Sequence, residues 1–457
     1  MRNTLRLVAL VAVLGCAHGA GDGSEATDAT DATDERDAEP MTSREAASIA
    51  PTPAPAVPSG LRDAHAAVRV PGLELRTFDH AELWSALPPI LEGSTRLRVE
   101  EVGRSVENRP IRSVSFGEGP VRVLMWSQMH GDESTATMAL ADIYAFVERE
   151  ADHPVARAIL ENLTVTTIPM LNPDGAQRFQ RRNAYGIDIN RDARALATPE
   201  GRTLKRVYDE MRPQFAFNLH DQDVGTRVGR TDAGVAIALL SPAFDESREV
   251  NDVRLGAMRV AAAFRQAVEP LVGGHIARYD DSFNPRAFGD LTTTWGASAV
   301  LVESGGWRDD PEKQYLRMVN FVGLLAALNA IADGSYTRFD ERLYSELPSN
   351  GRTLPDLLVR GGYLVVPGLE PVRADLMIEY RDPVRRRDGF IIEVGDLGGR
   401  DAIDTLDVDG LYVVAAAEAL ELSHGPQVGP GSPARFHVAR TTDGPALWSF
   451  EGGPPPE

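Results

Sequence analysis

The sequence predicts an α/β domain built on an open sheet, with a small β-rich domain following it. Three observations carry this prediction. Between Val102 and Gly306, apolar runs of strand length alternate with helical patterns. Most of these runs end at a residue able to do chemistry, and in open α/β sheets ligands bind outside the carboxyl ends of the strands. Beyond Arg338 come short apolar runs separated by Gly and Pro.

At the amino terminus, Arg2 and Arg6 precede the apolar run Leu7 to Leu14, which ends in Gly15-Cys16. That run is too short to span a bilayer as a stable helix and reads as the core of a signal peptide over residues 1–16. Val13-Leu14-Gly15-Cys16 resembles the bacterial lipobox, in which the Cys is lipidated. The expected location is therefore the bacterial cell envelope, with a lipid anchor at Cys16 in the outer membrane. Cys16 is the only cysteine, so no intrachain disulfide forms although the domain is expected to be exported. Residues 17–59 are rich in Ala, Asp, Thr, Glu and Pro and include the repeat Ala26 to Asp34. Such a segment buries too little apolar surface to offset its ordering entropy, so a disordered acidic linker is expected. The formal net charge of −20 argues against a nucleic-acid surface. No later stretch reads as long and apolar enough to cross a membrane.

The first element with chemistry is the run Val121 to Gln128, which gives way at Met129-His130-Gly131-Asp132-Glu133 to a helical pattern from Ser134 to Glu148. Residues i and i+3 on a first helical turn share a face, so His130 and Glu133 can bind one metal ion. A catalytic zinc takes three protein ligands and keeps one position open, and two His plus one Glu is a recognised set. The best-placed second His is His220, at the end of the strand pattern Phe215 to Asp221. A further strand pattern, Ala297 to Val302, ends in the carboxylate Glu303 before Ser304-Gly305-Gly306. Between these lie the strand Leu163 to Met170, the turn Asn172-Pro173-Asp174-Gly175, then Arg181-Arg182-Asn183 and Gly186-Ile187-Asp188-Ile189-Asn190-Arg191. Taken singly, each has a plain alternative. A His and a Glu three apart usually lie on a solvated helix face, His220 could be a core histidine, Glu303 a turn cap, and Asn190-Arg191 a surface dipeptide. Their succession at strand exits is the stronger signal. His18, His65, His80, His153, His275, His424 and His437 lack such a setting and are read as non-ligands.

These motifs, with Val102-Gly103-Arg104-Ser105-Val106-Glu107-Asn108-Arg109-Pro110-Ile111 ahead of them, resemble the carboxypeptidase A-like zinc metallocarboxypeptidases from about Leu61 to Ile331. Carboxypeptidase A is itself the known example of the two-His-one-Glu site. The resemblance implies a three-layer α/β/α domain with a mixed central sheet over residues 60–338, and an accessory β-rich domain over 339–457. It implies that His130, Glu133 and His220 bind Zn2+ and that Glu303 is the general base on zinc-bound water. Arg181 would hold the oxyanion, and Asn190 with Arg191 would grip the free terminal carboxylate of a peptide substrate. Asp188 would hydrogen-bond the first His and fix its tautomer. Two departures stand out. The family's mobile-loop Tyr has no clear counterpart, since Tyr279 is the only Tyr in the region before the base and is out of register. The base sits in Val-Glu-Ser-Gly-Gly, which marks a divergent branch. Asp280, Asp281 and Asp290 in that region would favour a basic terminal residue. The rival readings are a zinc amidase acting on cell-wall peptides or N-acyl amino acids, and a catalytically dead, surface-anchored binding module. Oligomeric state is not legible in the sequence.

Overall fold

The computed structural model describes residues 55–56, 58–417 and 427–454. The proposed signal peptide, Cys16 and most of the acidic linker lie outside the described residues.

Nine strands form or flank the α/β part: β1 (Arg98–Arg104), β2 (Pro110–Phe116), β3 (Val121–Trp126), β4 (Leu163–Ile168), β5 (Phe215–Asp221), β6 (Thr226–Val228), β7 (Ile237–Leu240), β8 (Ile276–Arg278) and β9 (Ser298–Ser304). All but β6 join one eight-stranded sheet in the order β1-β2-β4-β3-β5-β9-β7-β8. The central strands β4, β3, β5 and β9 run parallel, whereas β2 against β4 and β7 against β9 run antiparallel. The sheet is therefore mixed, as expected.

Both faces of the sheet are covered, which explains why its strands read as unbroken apolar runs rather than alternating ones. Along β3, Val123 and Met125 enter one buried cluster while Leu124 and Trp126 enter another. The first cluster is closed by the helices Thr135–Arg149, Asp252–Val272 and Gln314–Ala332, and the second by Pro199–Met211 and Phe288–Thr294. This is the three-layer α/β/α arrangement. The expectation that no later stretch could cross a membrane needs correcting: Gln314–Ala332 passes on length and composition. Its side chains are buried in the core instead, where Arg317 is fully enclosed and paired to Asp142 at 2.6 Å.

β3 is the switch point of the sheet. The chain leaves β3 to form β4 on one side of it, then returns to form β5 on the other. Crevices at such points are where α/β proteins bind ligands.

After the helix Arg342–Ser345, β10 (Asn350–Thr353) pairs with β6, so the chain first returns to the α/β part. Nine more strands follow: β11 (Leu357–Arg360), β12 (Tyr363–Val365), β13 (Val372–Arg373), β14 (Asp375–Asp382), β15 (Arg387–Gly395), β16 (Asp404–Asp407), β17 (Tyr412–Ala415), β18 (Phe436–Ala439) and β19 (Ala446–Phe450). They make two sheets, β15-β14-β11-β16 and β13-β12-β17-β18-β19, around a separate core that includes Leu357, Ile378, Ile391, Val413, Phe436 and Phe450.

Candidate metal centre and active site

Three strand exits bring the candidate ligands together. β3 runs into the loop that carries His130 and Glu133, and β5 ends at His220-Asp221. β9 pairs with β5 in register, placing Glu303 directly beside His220. Glu133 bridges the two histidines: one carboxylate oxygen lies 2.7 Å from His130 Nδ1 and the other 2.6 Å from His220 Nδ1. The donor atoms of the three residues all lie within 4.8 Å of one another, and all three side chains are buried.

The loop that carries His130 and Glu133 depends on close backbone approach. A Cβ at Gly131 would stand 2.0 Å from the carbonyl carbon of Gly175, so a side chain there would collide with the Asn172-Pro173-Asp174-Gly175 turn. Asn172 caps the helix Pro173–Arg178 by accepting from Gly175 N at 2.9 Å. Its amide also donates to the carbonyls of Met129 and Arg181. Asp174 faces away from the donors and accepts from Ser105 Oγ, Glu107 N and Arg109 Nη1 at 2.7–2.9 Å. The segment before β2 is thus a brace for this turn.

Asp188 contacts both the first His and Arg181. Its Oδ1 lies 3.1 Å from His130 Nε2, which directs Nδ1 toward Glu133 and His220, and its Oδ2 accepts twice from Arg181. Burial works against the charge of Asp188, yet the His130 and Arg181 contacts hold its carboxyl far below the usual range.

The electrostatics of the cluster fit a cation. Burial alone would lower the His130 pKa, but Glu133 and Asp188 outweigh it and push it up to about 9. The same negative field draws Arg181 in, with Nη1 3.0 Å from His130 Nδ1 and 3.2 Å from Glu133 Oε1. A divalent ion on those donors would satisfy the field directly, and Arg181 would have to withdraw from the same atoms. Glu303 is buried and its Oε2 has no hydrogen-bond partner among the described residues. Burial first, and then the Glu133 charge, raise its pKa well above normal.

A cleft of about 1110 Å³ opens over these groups, lined among others by His130, Glu133, Arg181, Asn190, Arg191, His220 and Glu303. Every predicted site residue described by the structure faces it except Asp188, which stands behind His130. Asn190 is oriented by Phe288 N, which donates to its Oδ1 at 2.9 Å and leaves the amide nitrogen for the cleft. Among the described residues the Arg191 guanidinium donates only to the Asn190 carbonyl and forms no ion pair.

Four further residues matter here that the sequence did not single out for a role. Tyr279 follows β8 on the cleft wall, and burial followed by the Glu303 and Glu133 charges raises its pKa. Only its position before the base hinted at it. Asp221 accepts from Thr135 Oγ1 at 2.7 Å and from the fully buried Lys313 Nζ at 3.1 Å, and it lies 3.5 Å from Arg76. This network locks the β5 exit to the helices behind it. No spacing in the sequence connects Arg76 or Lys313 to Asp221. Of the three acidic residues expected near a substrate side chain, Asp280 and Asp290 line the cleft. Asp281 is instead paired to Arg254 at 2.6 Å.

Residues 91–225 match the family model described as zinc carboxypeptidase. Carboxypeptidase 2 of Trichophyton rubrum is 29% identical over 125 residues, which is 27% of this chain and 22% of that protein. Carboxypeptidase SOL1 of Arabidopsis thaliana is 28% identical over 102 residues, 21% of each chain. The chain thus spans about a fifth of the length of these curated relatives. Among solved structures, the metallo-carboxypeptidase from Burkholderia cenocepacia aligns at 20% identity with a TM-score of 0.43, covering 56% of this chain and 68% of that one.

Proposed function

We propose that this chain, which carries a zinc carboxypeptidase family segment over residues 91–225, hydrolyses the last peptide bond of peptides with a free carboxyl end. The observation that carries the proposal is the in-register placement of Glu303 beside His220, next to two further buried donors and an unpaired Arg191. His130, Glu133 and His220 would hold zinc, which when bound lowers the pKa of a water toward about 7 and polarises a carbonyl oxygen.

The chain's own residues supply the rest. Glu303 takes the proton of the attacking water and returns it to the departing amine. Arg181 donates to the oxygen that gains charge, an interaction typically worth about 3–4 kcal/mol. Asn190 and Arg191 hold the substrate's terminal carboxylate, for which the planar guanidinium fork is well shaped. Holding that carboxylate confines cleavage to the last bond. Tyr279, which also lines the cleft, carries a phenol able to donate to the substrate.

The test is hydrolysis of matched free-acid and C-terminally amidated peptides, with and without a chelator. Chelator-sensitive cleavage that strongly favours the free acids is expected. Equal cleavage of both would favour the amidase reading, and no cleavage by zinc-loaded protein would favour a binding module. From the amino-terminal sequence we also propose export and lipid anchoring at Cys16, which incorporation of labelled fatty acid would test.

A further inference from the structure

The cleft is not built by the α/β part alone. The hairpin of β14 and β15, with its turn at residues 383–386, reaches it from the carboxyl-terminal sheets, and Arg381, Asp382, Pro383, Val384, Arg385 and Asp388 contribute to its lining. Both regions belong to one compact unit. The hairpin is anchored where it meets the catalytic side: the Arg385 guanidinium lies 5.7 Å from the ring centre of Phe179, as does that of Arg76. Phe179 ends the helix Pro173–Arg178, two residues before Arg181.

Six arginines line the cleft, and four have acidic partners. Arg76 faces Asp221, Arg178 pairs with Glu107, Arg181 with Glu133 and Asp188, and Arg385 with Asp382. Among the described residues, Arg191 and Arg381 alone of the six form no ion pair. The face of the Arg381 guanidinium lies 4.7 Å from the Phe390 ring centre, and none of its N–H groups has a hydrogen-bond partner among the described residues, so they are free to donate. Arg191, beside Asn190 and the Phe288 helix, is committed to the terminal carboxylate. The hairpin meets the cleft at Phe179 instead. An anion bound by Arg381 is therefore a second one, carried by the part of the peptide before the scissile bond.

We propose that Arg381 is a specificity-determining residue that selects peptides with an acidic side chain upstream of the scissile bond. The inference rests on the carboxypeptidase reading of the same cleft. The test uses the full chain and pairs of short free-acid peptides differing only by Glu or Gln at each upstream position. At one position the wild type should favour Glu by about fivefold in kcat/KM, the scale of a partly exposed ion pair. The advantage should appear in KM and not in kcat. Arg381→Gln should bring the ratio close to one, and Arg381→Lys should restore part of it. Arg381 is exposed, so its variants should unfold at the wild-type temperature. Binding of the same pairs to Glu303→Gln protein provides a readout independent of turnover. If the wild type binds and cleaves Glu and Gln peptides alike at every position, the Arg381 assignment fails while the carboxypeptidase reading stands. If acidic peptides bind preferentially and lose that preference in Arg381→Gln, yet none is cleaved by the wild type, the subsite stands and the carboxypeptidase reading fails.

Discussion

His220 and Glu303 are partners across the parallel pair β5–β9, so the candidate ligand and the candidate base are fixed to each other by the ladder rather than by a flexible loop. Removing the carboxylate while keeping its shape separates the two roles. Glu303→Gln should retain one zinc per chain by elemental analysis and bind peptide nearly as the wild type does. Its kcat should fall by roughly 10²–10⁴, because an amide cannot accept the proton. Loss of zinc from this variant would move Glu303 from the base role into the ligand set.

That His220 and Glu303 both stand at strand exits was legible because β5 and β9 are largely apolar runs closing on a polar residue, as strands buried on both faces must be, whereas their pairing in register was not. His130 and Glu133 were legible from local spacing alone. What stayed hidden was non-local. Lys313 and Arg76 lie far along the chain from Asp221, and no periodicity announces a buried ion network. In the carboxyl-terminal sheets, β12, β14, β15 and β17 carry apolar runs that stand out in the sequence. β16 reads Asp-Thr-Leu-Asp, and it is a strand only because β11 lies parallel beside it. That the tip of the β14–β15 hairpin reaches the cleft could not be read, since Arg381 to Asp388 looks like an ordinary charged turn.

Asp188 joins His130 to Arg181 through opposite oxygens of one carboxylate. Asp188→Ala should free the His130 ring and remove the tie on Arg181 together. Zinc affinity should fall by about 10–100-fold in a competition titration, the usual effect of losing a ligand's hydrogen-bond partner. Unchanged affinity would show that packing alone orients His130.

Asp356 supports the strand that bears Arg381, because Tyr380 N donates to its Oδ2 at 2.7 Å. Burial pushes its pKa up to about 6 from the usual 3.8, with the Asp223 and Glu379 charges adding to the rise. A raised pKa means that the folded state holds the proton more tightly than the unfolded chain does. The stability linked to that proton is complete below about pH 3.8 and is lost as the pH rises through about 6. Asp356→Asn keeps the acceptor and removes the charge. The variant's melting temperature relative to the wild type should therefore rise between pH 4 and pH 7.5, as followed by calorimetry. A difference independent of pH would mean that the carboxylate is well solvated.

Arg191 tests the exopeptidase character itself. Among the described residues it is an unpaired cation on the cleft wall, and its neighbour Asn190 accepts from Phe288 N through its Oδ1, which leaves its amide nitrogen free. An arginine left without a carboxylate in a folded site is one whose partner arrives with the substrate. The contact lies away from the bond being broken, so it serves ground state and transition state alike and also sets which bond reaches Glu303. Arg191→Ala should lower kcat/KM for free-acid peptides by roughly 10²-fold, about the 2–3 kcal/mol of a charge-assisted hydrogen-bonded pair. Cleavage of amidated peptides, already slow, should change far less, so the ratio between the two classes should collapse. Measuring both classes on the same variant decides the point, since a general loss of folding or zinc would depress them equally. A ratio that survives in Arg191→Ala would assign carboxylate recognition to another group on the cleft wall.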